Sequence, residues 1–360
     1  MKNTPIEQGT PITGKGLLQT AVICAFLALV LCLLNPVFMS NAGNANILAG
    51  QAKKDRRYDV IFAGSSHMNN ALYPMQLWEN YGFSSFNNAQ SGEIIPVNYY
   101  TCKEVIEKYA PKVVVLDVYM LYHKRKWGNI TWMHQSLDRL SAKNRLSAIF
   151  DLVPVKNLEE FLFPLSLYHT RWKELAKSDF VPTDTARRGC AQNFALAKDI
   201  EGLSFEYQPP NVKRHPPKVA VAYLDKIVEL CKKTGTELVL VAVPYFISGA
   251  VKGATHNLKN DQAYFNWTAD YAKQRDIPYI NYFHLVGEIG FEWNQCLYNH
   301  SHMNYRGGSI ITDHLGKYLW EHYNLPDRRK DPDYAHWNED LKIYKEQLKK
   351  NLTSASWTKQ

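Results

Sequence analysis

Two short segments, far apart in the chain, carry residue types that could act together as a nucleophile and its base. The first is Gly-Ser-Ser-His at 64–67, in which Ser66 is the candidate nucleophile. The second is Asn-His-Ser-His at 299–302, in which His302 is the candidate base. A serine hydroxyl needs a base within hydrogen-bond reach before it can attack an acyl carbon. The two segments therefore indicate nucleophilic acyl chemistry, provided that the fold brings them together.

Each segment also has a simpler interpretation when it is taken alone. A Gly-Ser-Ser turn before a helix often supplies only an N-cap, because a serine oxygen accepts hydrogen bonds from free backbone N–H groups. A lone histidine is more often structural than catalytic. His300 and His302 could be proposed as metal ligands, but the sequence shows no third ligand near them. We therefore expect neither a metal nor an organic cofactor.

The elements that must position these residues alternate between strand-like and helix-like patterns. Such alternation predicts a mostly parallel sheet with helices on both faces, an α/β three-layer sandwich. Ligands of such sheets bind beyond the carboxyl ends of the strands. Ser66 follows the first strand and His302 precedes the last helix, so both are expected at that edge. Strands are predicted at 58–64, 85–89, 112–119, 237–243 and 278–282, and helices at 71–81, 97–109, 219–233, 263–275 and 306–323.

An apolar segment near the N-terminus is long enough to cross a membrane. Residues 17–34 carry no charge, and with 35–39 they span a hydrocarbon core of about 30 Å at 1.5 Å per residue. The run exceeds the usual length of a signal-peptide core, which favours an uncleaved anchor, although small residues at 40–46 leave a cleaved signal as the alternative. Lys2 and Lys15 precede it, so we expect a single-pass protein of the cell membrane with its main domain outside the cytoplasm.

The distribution of charge along the chain argues against a nucleic-acid partner and helps to define the domain boundaries. The 42 Lys and Arg against 34 Asp and Glu give a net charge of +8, which is spread along the chain without a nucleic-acid-binding module, so no nucleic-acid partner is expected. The basic runs at 53–57 and 328–330 are interpreted as solvated faces or linkers. The predicted organisation is a cytoplasmic tail at 1–16, an anchor at 17–39, a linker at 40–56, a domain at 57–325 with a mostly helical cap at 121–215, and a charged tail at 326–360 with a solvated helix at 334–350.

The order of these motifs resembles the SGNH (GDSL-type) hydrolase superfamily over 57–325, apart from the cap. Ile-Phe-Ala-Gly-Ser-Ser-His at 61–67 is similar to the block that holds the nucleophile, which implies that role for Ser66. Asn-Ala-Gln-Ser-Gly at 88–92 is similar to the block whose glycine N–H helps to form the oxyanion hole, which implies Gly92. The final block implies His302 as the base, preceded by its orienting partner at Asn299.

The sequence departs from the superfamily pattern at two positions. Asn299 stands where the superfamily usually has Asp, and an amide can orient His302 but cannot stabilise an imidazolium by charge. The third strand ends without the asparagine that normally supplies an oxyanion donor. Asn69 or Asn98 could substitute for that donor, and Asp117 could serve as the acidic partner instead.

A narrower resemblance concerns the extracytoplasmic SGNH-like proteins of cell-envelope modification, such as alginate O-acetylation proteins and the D-alanyl transfer protein of teichoic acid synthesis. It rests on the anchor, the Gly-Ser-Ser turn, Leu-Tyr-His-Thr-Arg-Trp at 167–172 in the cap, and His-Met-Asn-Tyr-Arg-Gly-Gly at 302–308. It implies a membrane-bound O-acyltransferase as partner and an envelope polysaccharide as acceptor. His169, Arg171 and Trp172 are candidate acceptor-binding residues, since aromatic rings stack on sugars and Arg holds anions; the alternative places Trp172 in the cap core.

The leading hypothesis is therefore an anchored serine acyltransferase or esterase of the cell envelope. The main alternative is a non-catalytic polysaccharide-binding or scaffold subunit on the same fold, which Asn299 favours. A third interpretation, a soluble lipase or esterase, requires that the anchor be a cleaved signal peptide.

Overall fold

The computed structural model describes residues 14–39, 55, 57–176 and 186–355 of the chain. Most of the predicted cytoplasmic tail at 1–16 and nearly all of the predicted linker at 40–56 therefore lie outside the described residues.

A five-stranded sheet, parallel throughout, forms the centre of the main domain. The strand order is β2-β1-β3-β4-β5, and in β1 to β4 every residue but the first of β4 is buried. Continuous runs of apolar, largely β-branched residues produce such strands because helices cover both faces of a parallel sheet. The predicted sheet is thus confirmed, with strands β1 (Val60–Ala63), β2 (Ser85–Asn87), β3 (Val113–Asp117), β4 (Glu237–Ala242) and β5 (Tyr279–Asn281).

Helices cover the two faces of the sheet. On one side α4 packs against α9, and on the other α12 packs against α2 and α3. Right-handed crossovers require this division, since the chain moves from β1 outward to β2 and then back across to β3, β4 and β5. The three-layer α/β sandwich is therefore confirmed, with α2 (Ser66–Ala71), α3 (Pro74–Tyr81), α4 (Ile95–Tyr109), α9 (Lys218–Thr234), α10 (Lys259–Lys273), the short α11 (Trp293–Cys296) and α12 (Tyr305–His322).

The segment between β3 and α9 has two different halves. The first half is helical and packs on α4 through α5 and α6. The second half, 186–217, consists of turns and coil that bond to the main domain, for example from Ala191 N to Asn69 O at 3.0 Å. The predicted helical character therefore applies to the first half only, which contains α5 (Ile130–Leu137), α6 (Ala142–Leu152), α7 (Leu158–Leu162), α8 (Leu165–Tyr168) and a 3-10 helix at His169–Lys173.

The N-terminal helix α1 (Gly14–Met39) is long and apolar enough over Gly14–Leu31 to cross a membrane, and none of that segment is buried against the rest of the chain. Its C-terminal end packs against α8 of the cap. Its orientation across the membrane stays a prediction.

The C-terminal segment is integrated into the main domain, so the prediction of a solvated helix there is wrong. Helix α13 (Ala335–Ser354) buries Trp337 completely, and Asp340 pairs with the buried Arg188 at 2.7 Å. The Arg188 guanidinium also lies 4.2 Å from the centre of the Trp337 ring. Arg328, predicted to lie on a solvated face, makes two hydrogen bonds to the Asp59 carboxylate at 2.7 and 2.8 Å. Charges that look solvated in sequence thus hold the tail in place.

Candidate active site

Ser66 begins helix α2 directly after the turn that ends β1. The N-cap is Ser65, whose Oγ accepts a hydrogen bond from His67 N at 3.3 Å. The capping role therefore belongs to Ser65, which leaves the Ser66 hydroxyl available for another partner. Gly64 makes the turn at a φ of +145°, where a Cβ would lie 2.9 Å from the Cβ of Asp117. Only glycine fits this position without displacing β3, because both its conformation and its space exclude a side chain.

His302 lies on a two-stranded antiparallel hairpin, β6 (Leu297–Asn299) and β7 (His302–Met303), just before α12. Asn304 secures the hairpin to the helix, because its Oδ1 accepts from Gly307 N at 3.1 Å while its Nδ2 donates to Gln295 O at 2.8 Å. The hairpin places His302 Nε2 2.8 Å from Ser66 Oγ, across 236 residues of sequence. The predicted nucleophile and base therefore lie within hydrogen-bond distance.

Asn299 determines which nitrogen of His302 carries the proton. Its Oδ1 accepts from two backbone groups, Ser301 N and His302 N, each at 2.9 Å, and lies 3.1 Å from His302 Nδ1. Because two N–H donors fix this atom as the oxygen, it can only accept from Nδ1, so Nδ1 is protonated. The lone pair of Nε2 then faces Ser66 and accepts its O–H. This is the tautomer that a general base requires.

Burial controls the charge of His302. Burial, with a smaller contribution from the nearby His300, lowers the pKa of His302 to about 4. A carboxylate at position 299 would oppose this effect, but the Asn299 amide carries no charge. The imidazole is therefore neutral at pH 7 and able to accept a proton, while an imidazolium at this position would receive little stabilisation.

Gly92 lies in a turn that touches the nucleophile segment. It has a φ of +63°, and the Gln90 N of the same loop donates to Gly64 O at 3.3 Å. The indole of Trp132, on α5, covers Gly92 so closely that a Cβ there would lie 1.8 Å from a ring atom. The loop thus runs beside Ser66 under an aromatic side chain of the cap. Nothing in the local sequence singles out Trp132, because its position over Gly92 depends on how α5 folds over the loop.

The two asparagines expected to replace the missing oxyanion donor are both used elsewhere. Asn69 Nδ2 donates to Ala89 O at 3.1 Å and Gly189 O at 2.7 Å. Asn98 Nδ2 donates to Glu93 Oε1 at 2.6 Å and to Gly64 O at 3.4 Å. The prediction that one of them completes the oxyanion hole is therefore wrong, because each amide is already donating within the fold.

Gln90 is a further donor that sequence reasoning did not single out. Its side chain is buried, and its Nε2 has no hydrogen-bond partner among the residues that the structure describes. Buried donors without a partner are rare in folded proteins and often belong to binding sites. Its position within the 88–92 block was the signal that could have drawn attention to it.

Asp117 is not the acidic partner of His302. Its Oδ1 accepts from Tyr119 N at 3.3 Å, and His302 Nδ1 is occupied by Asn299. Burial raises the pKa of Asp117 to about 7, as expected for a carboxyl enclosed at the end of a central strand. The alternative that assigned the orienting role to Asp117 is therefore wrong.

The candidate acceptor-binding residues lie at the end of the anchor helix. The guanidinium of Arg171 donates from Nη1 to Phe38 O of α1, and His169 and Trp172 share its short 3-10 helix. Trp172 is 63% exposed, so the alternative that placed it in the cap core is wrong. The hydrogen bond from Arg171 to Phe38 places this segment at the C-terminal end of the anchor helix.

Comparisons with known proteins find solved structures that are similar to this chain at low sequence identity. No family model and no curated protein matches the chain. A candidate acylhydrolase from Bacteroides fragilis is 11% identical with a TM-score of 0.39, over 79% of this chain and 97% of that chain. A psychrotrophic esterase from Pseudoalteromonas sp., inhibited by monoethylphosphonate, is 11% identical with a TM-score of 0.36, over 74% and 99%. A GDSL-like lipase from Bacteroides thetaiotaomicron is 12% identical with a TM-score of 0.38, over 80% and 98%. The chemistry of the site rests on this chain's own contacts.

Proposed function

We propose that this protein is an extracytoplasmic serine acyltransferase or esterase that works through an acyl-enzyme on Ser66. The observation that carries the proposal is the chain of contacts from Ser66 Oγ to His302 Nε2 at 2.8 Å and from His302 Nδ1 to Asn299 Oδ1 at 3.1 Å. A hydroxyl at a helix N-terminus, bonded to a neutral imidazole of the correct tautomer, is the arrangement that nucleophilic acyl transfer requires.

In the first half of the reaction, Ser66 Oγ attacks the carbonyl carbon of an acyl donor while its proton moves to His302 Nε2. The tetrahedral oxyanion accepts hydrogen bonds from the backbone N–H groups of Ser66 and Gly92. Collapse of this intermediate breaks the bond to the leaving group, which takes the proton from His302. The product is an ester on Ser66 and a neutral His302.

In the second half, an acceptor hydroxyl or a water molecule gives its proton to His302 Nε2 and attacks the acyl carbon. The second oxyanion collapses, and Ser66 Oγ leaves and regains the proton from His302. Each proton moves between Ser66, His302 and the reactants. An alcohol acceptor gives acyl transfer, and water gives hydrolysis.

The proposed acceptor is a hydroxyl of a cell-envelope polysaccharide, and the proposed acyl supplier is a membrane-bound O-acyltransferase. This finer assignment is supported by the motif resemblance and by an N-terminal helix apolar enough to span a membrane. We further propose that His169, Arg171 and Trp172 contribute to acceptor binding from the anchor side of the cap, where the 3-10 helix His169–Lys173 lies.

A second candidate function, a non-catalytic polysaccharide-binding or scaffold subunit, is favoured by one observation. Asn299 occupies the orienting position, and the pKa of His302 is lowered to about 4, so the imidazolium is weakly supported during catalysis. The two candidates differ in whether Ser66 reacts at all.

The test is labelling of the full-length protein with a fluorophosphonate, which reacts with activated serines. We expect one equivalent of label in the wild type and in Ser147→Ala, a control at a solvent-facing serine of α6. Ser66→Ala and His302→Ala should take up none. A folded wild-type protein that remains unlabelled would support the scaffold function instead. Acceleration of donor consumption by added polysaccharide would distinguish transfer from hydrolysis.

A further inference from the structure

Exposed apolar side chains are concentrated in one part of the cap. Outside α1, eleven large hydrophobic side chains of the described residues are exposed, and six of them fall within 146–172. Their exposed fractions lie between 44% and 85%, although the rest of the main domain buries most such residues. Concentrations of this kind mark interaction sites. We call this set the cap apolar face: Leu146, Phe150, Val155, Phe163, Leu167 and Trp172.

The elements that carry these side chains follow one another along the chain and pack against their neighbours. Leu146 and Phe150 are four residues apart on α6, which places them on the same side of that helix. Val155 follows in the turn after α6. Helix α7 packs against α6 and against this turn, α8 packs against α7, and the 3-10 helix at His169–Lys173 packs against α8. The surface therefore runs from α6 to the 3-10 helix that carries Trp172.

The cap apolar face joins the end of the anchor helix. Helix α8, which carries Leu167, packs against α1, and Arg171 donates to Phe38 O in the last turn of α1. With 26 residues, α1 is about 39 Å long at 1.5 Å per residue, longer than a hydrocarbon core of about 30 Å. Its last turn therefore falls at the level of the lipid headgroups, where Arg and Trp side chains are favoured.

From this continuity we propose that the cap apolar face lies in the interfacial layer of the membrane that α1 spans, with lipid as its partner. The proposal rests on the proposed single-pass anchoring. Phe and Trp side chains gain free energy in this layer, where their rings are buried among headgroups and upper acyl chains. The lysines of the region are accompanied by Glu159 and Glu160, so the contact depends on apolar burial and only weakly on anionic lipid.

This position has a consequence for the active site. The same cap carries Trp132 on α5 over Gly92, so the lipid contact and the loop beside Ser66 belong to one packed unit. Resting on the membrane, the cap holds Ser66 at a fixed height above it. Such a position suits an acyl donor that emerges from a membrane protein, because the acyl group would not have to cross open solvent.

The test places a fluorescent label at single cysteines of the full-length protein in phosphatidylcholine nanodiscs. The probes are Phe150→Cys and Val155→Cys, and the control is Ile343→Cys, which is 48% exposed on α13 in the opposite helical layer. Cys24 and Cys32 are replaced by Ser; the remaining cysteines are buried. We expect a lipid-borne quencher to reduce fluorescence severalfold more at 150 and 155 than at 343.

Equal quenching at all three positions would overturn the proposal. That result is expected if α1 only tethers the domain, because positions 150, 155 and 343 would then meet lipid equally often. Quenching at 150 and 155 that appears only with a co-reconstituted acyltransferase would assign the cap apolar face to a protein partner and would also overturn the proposal. Failure of the full chain to insert into nanodiscs would overturn it as well.

Fluorophosphonate labelling of Ser66 in the same samples separates this proposal from the proposed function. Labelling without quenching overturns only the membrane contact, and quenching without labelling overturns only the acyl chemistry.

Discussion

Two histidines of this protein have similar surroundings, yet of the two only His302 lies within hydrogen-bond distance of a serine hydroxyl at the start of a helix. His302 bonds through one nitrogen to Asn299 at 3.1 Å and stacks on Tyr298 at 5.5 Å between ring centres. His256 bonds to the buried carboxylate of Asp261 at 2.7 Å and stacks on Tyr122 at 3.8 Å. His67 lies between the two regions, edge-on to the His302 ring at 5.3 Å.

Judged only by its hydrogen-bond partner, His256 would be the better general base of the two. A carboxylate supports an imidazolium better than an amide does, so the His256 pair has the stronger electrostatic design. Its second nitrogen, however, lies 3.3 Å from Oγ1 of the adjacent Thr255, an exposed side chain outside any helix N-terminus. His302 instead reaches a serine that begins a helix, beside a glycine turn. In the proposed reaction, the position of the nucleophile therefore assigns the role of base to His302, while the partner of each histidine adjusts only its basicity.

The largest expected effect separates the two histidines directly. His302→Ala should lower the rate of ester hydrolysis and of fluorophosphonate labelling by about 10³-fold or more, because Ser66 loses its base. His256→Ala should change both by less than about threefold once the folded fraction is matched by circular dichroism. Comparable losses in both variants would contradict the comparison, since they would place His256 in the reaction as well.

The next largest effect tests the role of the amide. Asn299→Asp should raise the rate of acylation by about tenfold or more, because a carboxylate beside Nδ1 stabilises the imidazolium. The wild-type base is neutral above its pKa of about 4, so its activity should fall only as the pH drops through that value. Asn299→Asp favours the charged form, which moves the acidic limb of the pH–rate profile upward by roughly 1–2 units.

Asn299→Ala is the matched control, because it removes the oxygen that fixes the tautomer while adding no charge. It should lower the rate and leave the acidic limb near its wild-type position. An Asn299→Asp enzyme with an unchanged profile would show that position 299 does not act on His302 electrostatically.

Much of this architecture could be predicted from local sequence. The β-branched run at 113–117 forms a buried strand, and the Gly-Ser-Ser-His and Asn-His-Ser-His segments come together at the carboxyl edge, as expected for parallel strands. These features depend on short sequence patterns and on the rule that sites in parallel sheets lie beyond the carboxyl ends of the strands. Even the departure at Asn299 could be interpreted in advance, since an amide oxygen can orient an imidazole.

What could not be predicted depends on contacts between distant segments. Arg188 and Asp340 are 152 residues apart, and their buried pair converts an apparently solvated helix into part of the domain. Nothing local in the sequence shows that Asn69 already donates to Gly189 O, or that Trp132 covers Gly92. Each of these depends on the path of the cap and of the 186–217 segment over the sheet, which periodicity does not specify.

A smaller effect is expected at Trp132, the side chain that covers Gly92 in the loop bonded to the Ser66 segment. Trp132→Ala should open space above Gly92 and raise the kcat/KM ratio for butyryl over acetyl esters by about 3–10-fold, because the indole limits the length of the acyl group. Trp320→Ala, at a partly exposed indole of α12, is the control and should leave the ratio unchanged. An unchanged ratio in Trp132→Ala would show that the indole does not border the acyl group.

The smallest effect on the reaction is expected at the partner of His256. Asp261→Ala leaves His256 and the Tyr245 hydroxyl, which lies 2.5 Å from the carboxylate, without a buried acceptor. We expect the free energy of unfolding to fall by about 2–4 kcal/mol, measured by urea denaturation. The labelling rate per folded molecule should stay at the wild-type value. A lower rate per folded molecule would mean that this region supports catalysis and not only stability.

The proposed acyl-enzyme on Ser66 can be tested by measuring the mass of the peptide that contains Ser66 during turnover. The full-length protein is mixed with an activated acyl ester, quenched in acid and digested, and the peptide that contains Ser66 is examined by mass spectrometry. We expect this peptide to gain the mass of one acyl group in the wild type and, faster, in Asn299→Asp, and to show no gain in His302→Ala. An acyl group found on another residue, or turnover without any modification of Ser66, would contradict it.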